Sequence, residues 1–125
     1  MTVPIERARA IHWGRDFLDR LPQDASLPEP VIAEAMRIAW AYPTLEEFDD
    51  RLRSGAPGLP TKWVQAFLDA FRLFERLSMS GLGSAKTRDL LMYTLRHFPD
   101  EMSIRILAGA VALDAWLLPV SYNSR

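Results

Sequence analysis

The chain contains no cysteine, and 13 of its 15 basic residues are arginine, leaving two lysines beside two histidines. Without cysteine there are no disulfides and no thiolate metal sites. His12 and His97 have no metal-ligand partner at helical spacing. Each is read as structural, His97 at a helix C-terminus, where the dipole favours a partly positive imidazole. A strong charge of one sign is also missing. The net charge is −1, with 7 basic and 10 acidic residues over positions 1–56 and 8 and 6 beyond. Nucleic acid is therefore not expected as a partner, since its usual footprint is a clustered basic face. Long hydrophobic runs are absent too. The longest, Ile106 to Leu118, is interrupted by Asp114 and falls short of the roughly 20 residues that span a bilayer. Met1 to Arg7 passes straight into alternating charge, unlike the apolar region of a signal peptide. These absences predict a cytoplasmic protein with no membrane partner.

Strict period-two alternation, the mark of a half-buried strand, is nowhere found, so the expected fold class is all-α. The 125 residues, 49% apolar and 25% charged with a mean hydropathy of −0.06, can bury a core as one domain. Within it the sequence is written twice. Shifting residues 8–44 forward by 56 places Arg20-Leu21 on Arg76-Leu77, Met36 on Met92, Ala10 on Ala66, and Tyr42-Pro43 on Phe98-Pro99. A period of this length points to a helical repeat. About six helices are expected, as two tandem three-helix units at 1–53 and 61–118, joined by 54–60 and followed by a tail, 119–125.

The first helix should run from about Ile5 to Leu21, with Ala10, Trp13, Gly14, Phe17 and Leu21 at three-and-four spacing and Arg9, Asp16 and Arg20 opposite. The second starts near Pro28-Glu29-Pro30, where proline suits a first turn, and stops at Pro43. Thr44-Leu45-Glu46-Glu47 has capping-box spacing and opens a third helix to about Arg53. Thr61 should cap the fourth, to about Ser78, which buries Val64, Phe67, Phe71, Phe74 and Leu77 and wets Gln65, Asp69, Arg72 and Arg76. Ser84 caps a fifth, ending near Phe98-Pro99. Asp100 caps a sixth, running to Leu118.

Few motifs carry chemistry. Gly81-Leu82-Gly83-Ser84-Ala85-Lys86-Thr87 looks like a phosphate-binding loop, but that loop needs glycine directly before the lysine and a strand before the loop. No catalytic, cofactor or metal residues are assigned. The sixth helix, apolar almost all round, must be central or covered twice. Ile104, Leu107, Val111 and Leu118 should face the chain's own core. Ala110, Leu113, Trp116 and Leu117 should face a second subunit, with Asp114 either paired to an arginine or serving as a polar interface anchor. Leu68 and Leu73, beside the main stripe of the fourth helix, join this expected interface. The four tryptophans are read mainly as core filling, although aromatic residues also dominate interfaces.

Thr2 to Ile11, with Asp16-Phe17-Leu18, Ser26-Leu27-Pro28 and Ala41-Tyr42-Pro43-Thr44, resembles small uncharacterised helical proteins of proteobacterial chromosomes and prophages. These open with a Thr-x-Pro-x-Glu-Arg-x-Arg-Ala block and close on an aromatic-Pro-Ser/Thr tripeptide. The resemblance covers residues 2–44 and carries no catalytic motif. In size and helical style alone, the chain is also similar to QslA-type anti-activators, which bind a quorum-sensing receptor and prevent its action on DNA. The expected function is a non-enzymatic, homodimeric regulator or inhibitor that binds another protein. The alternative is a DNA-binding regulator using Lys86, Arg88 and Arg96 of the fifth helix.

Overall fold

Local chemistry sets each helix in the computed structural model, which describes residues 3–120. Helix α1 (Pro4–Arg20) opens on a first-turn proline, whose fixed φ suits that position, and runs into a single 3₁₀ turn, Leu21–Gln23. Helix α2 (Glu29–Ala41) ends at Tyr42, which is extended ahead of Pro43. Helix α3 (Leu45–Ser54) begins with a complete capping box. The Thr44 hydroxyl accepts from the Glu47 N–H at 3.1 Å, and the Glu47 carboxylate accepts from the Thr44 N–H at 2.9 Å. Helix α4 (Thr61–Ser80) has Pro60 at its cap, so Thr61 is its first helical residue and not its cap. Helix α5 (Ala85–His97) and helix α6 (Glu101–Ala108) are capped by the side chains of Ser84 and Asp100. The described residues are all helix, turn and loop, with no strand among them.

Helix α1 packs on α2 and α5, and α4 packs on α2, α5 and α6, whereas α1 and α4 touch only slightly. The core is therefore a four-helix arrangement with α1 and α4 on one diagonal. Phe74 sits at its centre, edge-on to Phe17 and to Phe98 with ring centroids at 5.3 Å in both cases. Tyr42 packs edge-on to Phe67 at 4.9 Å and donates its buried hydroxyl to the Ile11 carbonyl. Gly14 lets α1 pass these rings. A Cβ there would lie 2.5 Å from Phe98 Cε1 and 2.8 Å from the Tyr42 hydroxyl oxygen.

The shift of 56 carries the bounds of α2 onto those of α5, and the first residue of α3 onto that of α6. It also carries buried positions onto buried positions. Ala10, Ile11, Gly14, Phe17, Leu18 and Leu21 fall on Ala66, Phe67, Ala70, Leu73, Phe74 and Leu77, and Ala35 and Ile38 on Leu91 and Thr94. Leu73 and Leu68 are both buried in the core. Neither belongs to an open surface, which corrects the expectation for both.

The expected sixth helix to Leu118 is corrected as well. Helix α6 stops at Ala108, and a short 3₁₀ turn, Leu113–Ala115, follows. The helix gives way at Gly109, and just beyond it the Ala110 carbonyl accepts from the Gly58 N–H at 2.8 Å. Gly58, at φ 67°, approaches so closely that a Cβ would meet the Ala108 carbonyl oxygen at 2.8 Å. The Gly/Pro segment is thus clamped. Its carbonyls at Pro57 and Gly58 accept from the Arg51 guanidinium at 3.0–3.3 Å. Because the chain turns after Ala108, Leu113 and Leu117 reach the core while Val111 is 85% exposed. The buried Asp49 carboxylate then accepts from the Val120 N–H at 2.8 Å and holds the end of this segment. Thr2 and the tail beyond Val120 lie outside the described residues.

Candidate functional site: a cleft at the α5–α6 corner

The loop before α5 is already occupied by the protein's own anion. The Asp24 carboxylate accepts from the Ser84 N–H at 2.9 Å and the Thr87 hydroxyl at 2.6 Å. It also accepts from the Ser26 hydroxyl and N–H. Where a phosphate would sit on a helix N-terminus, a carboxylate ties the α1–α2 loop to α5. The Ser26 hydroxyl foremost, then Ser84 and Thr87, hold Asp24 well below its ordinary 3.8. A depressed folded value means that stability is fully present above the unfolded value and is lost as pH falls through the folded one. We predict that Asp24→Asn lowers the urea midpoint at pH 7. It should also flatten the loss of stability below about pH 4 relative to wild type. An unaltered acid limb would show that Asp24 is unimportant to the packing of α5.

A concavity of about 490 Å³ opens where α4, α5, α6 and the C-terminal turn meet, a volume in the range of ligand pockets. Phe71, Leu95, Ile106, Leu107 and Trp116 supply its apolar lining, and Arg7, Glu75, Arg96, His97 and Asp100 its charged edge. Arg7 crosses from α1, with its guanidinium 5.4 Å from the Trp116 ring centroid and donating to the Trp116 carbonyl at 3.2 Å. This contact fixes one wall, because a guanidinium over an indole face is attracted to it. Asp100 is committed to α6, where the Ser103 N–H holds its carboxyl below the ordinary value. Next to the cleft, Trp13 of α1 meets Tyr93 and His97 of α5 at 5.3 and 6.0 Å, and Tyr93 and His97 lie 4.9 Å apart.

Of the residues expected to form an interface, the structure brings only Trp116 to this cleft, 39% exposed. Leu68, Leu73, Leu113 and Leu117 are buried in the chain's own core, so the four leucines form no docking face. Ala110 is half-buried and also packs on the core. Asp114 is exposed on the 3₁₀ turn. It needs neither a cation nor a subunit to offset desolvation, because water remains available to it. The surface proposed for self-association through a long sixth helix is thus absent. Of the tryptophans, Trp63 packs on the edge of the core and none is fully buried. Trp13 and Trp63 are half-buried, and Trp40, beside the exposed Met36 on α2, is 86% exposed.

Among the described residues no group of three histidines or carboxylates could hold a metal ion, and no helix is long and apolar enough to cross a membrane. The arrangement offers an apolar socket with charges of both signs at its edge. Such a socket can hold an apolar side chain while pairing the polar groups that flank it. Arg7, Arg96 and His97 carry no motif that the sequence reveals, since they converge only when α1 crosses the C-terminus of α5. Comparison with family models, with curated proteins and with solved structures yields no match to this chain.

Proposed function

We propose that this is a non-enzymatic helical binding protein, a regulator or inhibitor of another protein, which seats an apolar side chain of its partner in the cleft beside Trp116. The observation that carries this reading is the cleft itself. A half-open tryptophan, braced by Arg7, stands beside Ile106, 46% exposed. Aromatic and arginine side chains in a semi-enclosed pocket are the usual anchors of protein interfaces. The likeness of residues 2–44 to small prophage and chromosomal proteins, and the helical style shared with anti-activators, fit the same class. The DNA-binding alternative rests on Lys86, Arg88 and Arg96, all exposed on α5. Asp89 lies among them, and the opposing charge lowers affinity for phosphate.

We further infer that the two halves arose by duplication of a three-helix unit. The support is the single shift that relates helix bounds and buried positions alike.

The test is a photo-crosslinking residue placed at Ile106 in the native host cell. It should yield one protein adduct, which Trp116→Ala reduces at least about fivefold, as expected for loss of an interface anchor. An Ile106 position that captures nothing, or whose adduct ignores Trp116, would reject the cleft as a binding site. Salt-sensitive, sub-micromolar retardation of duplex DNA, whose binding depends on neutralising phosphates, would favour the alternative.

A further inference from the structure

Two corners of this protein are built alike. Helix α2 ends on Tyr42 and helix α5 on Phe98, both in extended backbone. Each is followed by a proline, Pro43 or Pro99, and then by the side-chain cap of the next helix, Thr44 or Asp100. What stands against the two corners differs. At the first, Arg15 of α1 donates its guanidinium to the Tyr42 carbonyl at 2.7 Å and pairs with Asp19, one turn on, at 3.2 Å. At the second, Phe71 and Glu75 of α4 hold the places of Arg15 and Asp19, each 56 residues on. Both line the cleft together with Phe98. The carboxylate recurs there, and a phenyl ring takes the place of the guanidinium.

That exchange leaves two acceptors at the second corner. The Phe98 ring packs inward on Phe74 and beside Gly14, which leaves its main chain to line the cleft. Phe98 is only 5% exposed, yet its carbonyl accepts no hydrogen bond among the described residues. A carbonyl so placed takes its donor from whatever occupies the adjoining space. Glu75, exposed on α4, forms no ion pair among the described residues. Cations also line this cleft, but none of them pairs with Glu75. Arg7 is engaged by the Trp116 ring and carbonyl, and His97 stands against Trp13 and Tyr93, while Arg96 is exposed. What selects a guanidinium here is the pair of acceptors that holds one at the first corner, not net charge. Lysine fits less well. A planar fork serves a carboxylate and a carbonyl together, and it stacks on aromatic faces such as those of Phe71 and Trp116.

We propose that the partner protein presents an arginine to this cleft, whose guanidinium pairs with Glu75 and donates to the Phe98 carbonyl, in the place that Arg15 takes at the first corner. This rests on the protein-binding reading above and adds a cation beside the apolar side chain seated at Trp116. At about 490 Å³ the cleft admits both, since pockets of that class enclose drug-sized ligands. An acidic residue of the partner could meet Arg96, but it would leave the Phe98 carbonyl without a donor and set a like charge against Glu75.

Backbone amide NMR titration of the full chain tests this with three blocked dipeptides, leucyl-arginine, leucyl-citrulline and leucyl-glutamate. Citrulline keeps the shape of arginine without its charge. Raised to about 10 mM, a range that detects weak single contacts, leucyl-arginine should shift the amides of Glu75 and of Phe98 to Ser103. Those of Tyr42 to Glu47, at the first corner, should stay still. Leucyl-citrulline should bind about tenfold more weakly, and so should leucyl-arginine to Glu75→Gln, because charge-assisted hydrogen bonds are the stronger ones. Glu75 is exposed, so that variant keeps its fold. Phe71→Arg, which gives the second corner the guanidinium of the first, should abolish the shifts in a protein whose amide spectrum is otherwise intact. No shifts at the second corner, equal binding of arginine and citrulline, tighter binding of glutamate, or binding indifferent to Glu75→Gln would each overturn the proposal. If an Ile106 adduct in cells still depends on Trp116 in any of those cases, the arginine assignment fails alone and the protein-binding function stands. Loss of both the shifts and the adduct would remove both.

Discussion

Phe74→Ala is expected to cost about 3–5 kcal/mol of stability, the range for truncating a fully buried phenylalanine. Phe74 has no exposed surface and is the only ring that touches both Phe17 of α1 and Phe98 at the end of α5 among the described ring contacts. Its loss removes apolar burial, leaves a cavity at the crossing of three helices, and deletes two edge-on ring contacts. Neighbours cannot collapse into the space, because Phe17 and Phe98 are held by helices that pack on other partners. Against a typical total of about 5–15 kcal/mol, that is a large fraction. Urea unfolding should show a midpoint lower by about 1–3 M with little change in slope. A loss below about 1 kcal/mol would mean that the core is organised around some other residue.

The second large effect is expected from adding one methyl group. Gly14→Ala improves intrinsic helix propensity by about 1 kcal/mol, yet net destabilisation of about 1–3 kcal/mol is predicted. The new Cβ would stand 2.5 Å from a Phe98 ring carbon and 2.8 Å from the Tyr42 oxygen, both well inside contact distance. Phe98 cannot retreat without disturbing Phe74, and Tyr42 cannot without loosening a buried hydrogen bond to Ile11. The matching position on α4 is Ala70, fully buried, and Ala70→Gly should also destabilise, by propensity and lost packing. The small residues at the two crossings are therefore not interchangeable. A Gly14→Ala protein as stable as wild type would show that the rings shift freely and that the crossing is loosely packed.

Much of this fold is legible from residues that act locally. The stops at Pro43 and Pro99 and the capping pairs Thr44–Glu47, Ser84–Thr87 and Asp100–Ser103 all depend on neighbours within one or two turns. For that reason they read correctly from the chain. The segment after Ala108 did not. Its alanines, leucines and tryptophan suit a helix locally, but the helix ends at Gly109, and the chain beyond it docks on Gly58, which lies far away in sequence. The expected interface failed with it, because Leu113 and Leu117 were assigned to an outer face of a helix that does not continue. Trp40 was missed for the opposite reason. Its apolar character suits a core, but α2 buries Ala35 and Ile38, and a helix has only one inward face.

The candidate site was hidden to a similar degree. Arg7, Arg96, His97 and Trp116 come from three separate stretches, and no spacing along the chain announces their convergence. Asp24 becomes the anchor of Ser84 and Thr87 only through the approach of α5. By itself the sequence determined the helical class, the caps at Thr44, Ser84 and Asp100 and the stops at Pro43 and Pro99, since all of these rest on short-range bonding. The tertiary structure alone decided which helices are tied by ion pairs, where the last helix stops, and which apolar residues remain at the surface. Those outcomes depend on pairs such as Arg37 with Asp69, Gly58 with Ala110 and Arg7 with Trp116, whose partners meet only when separate helices pack.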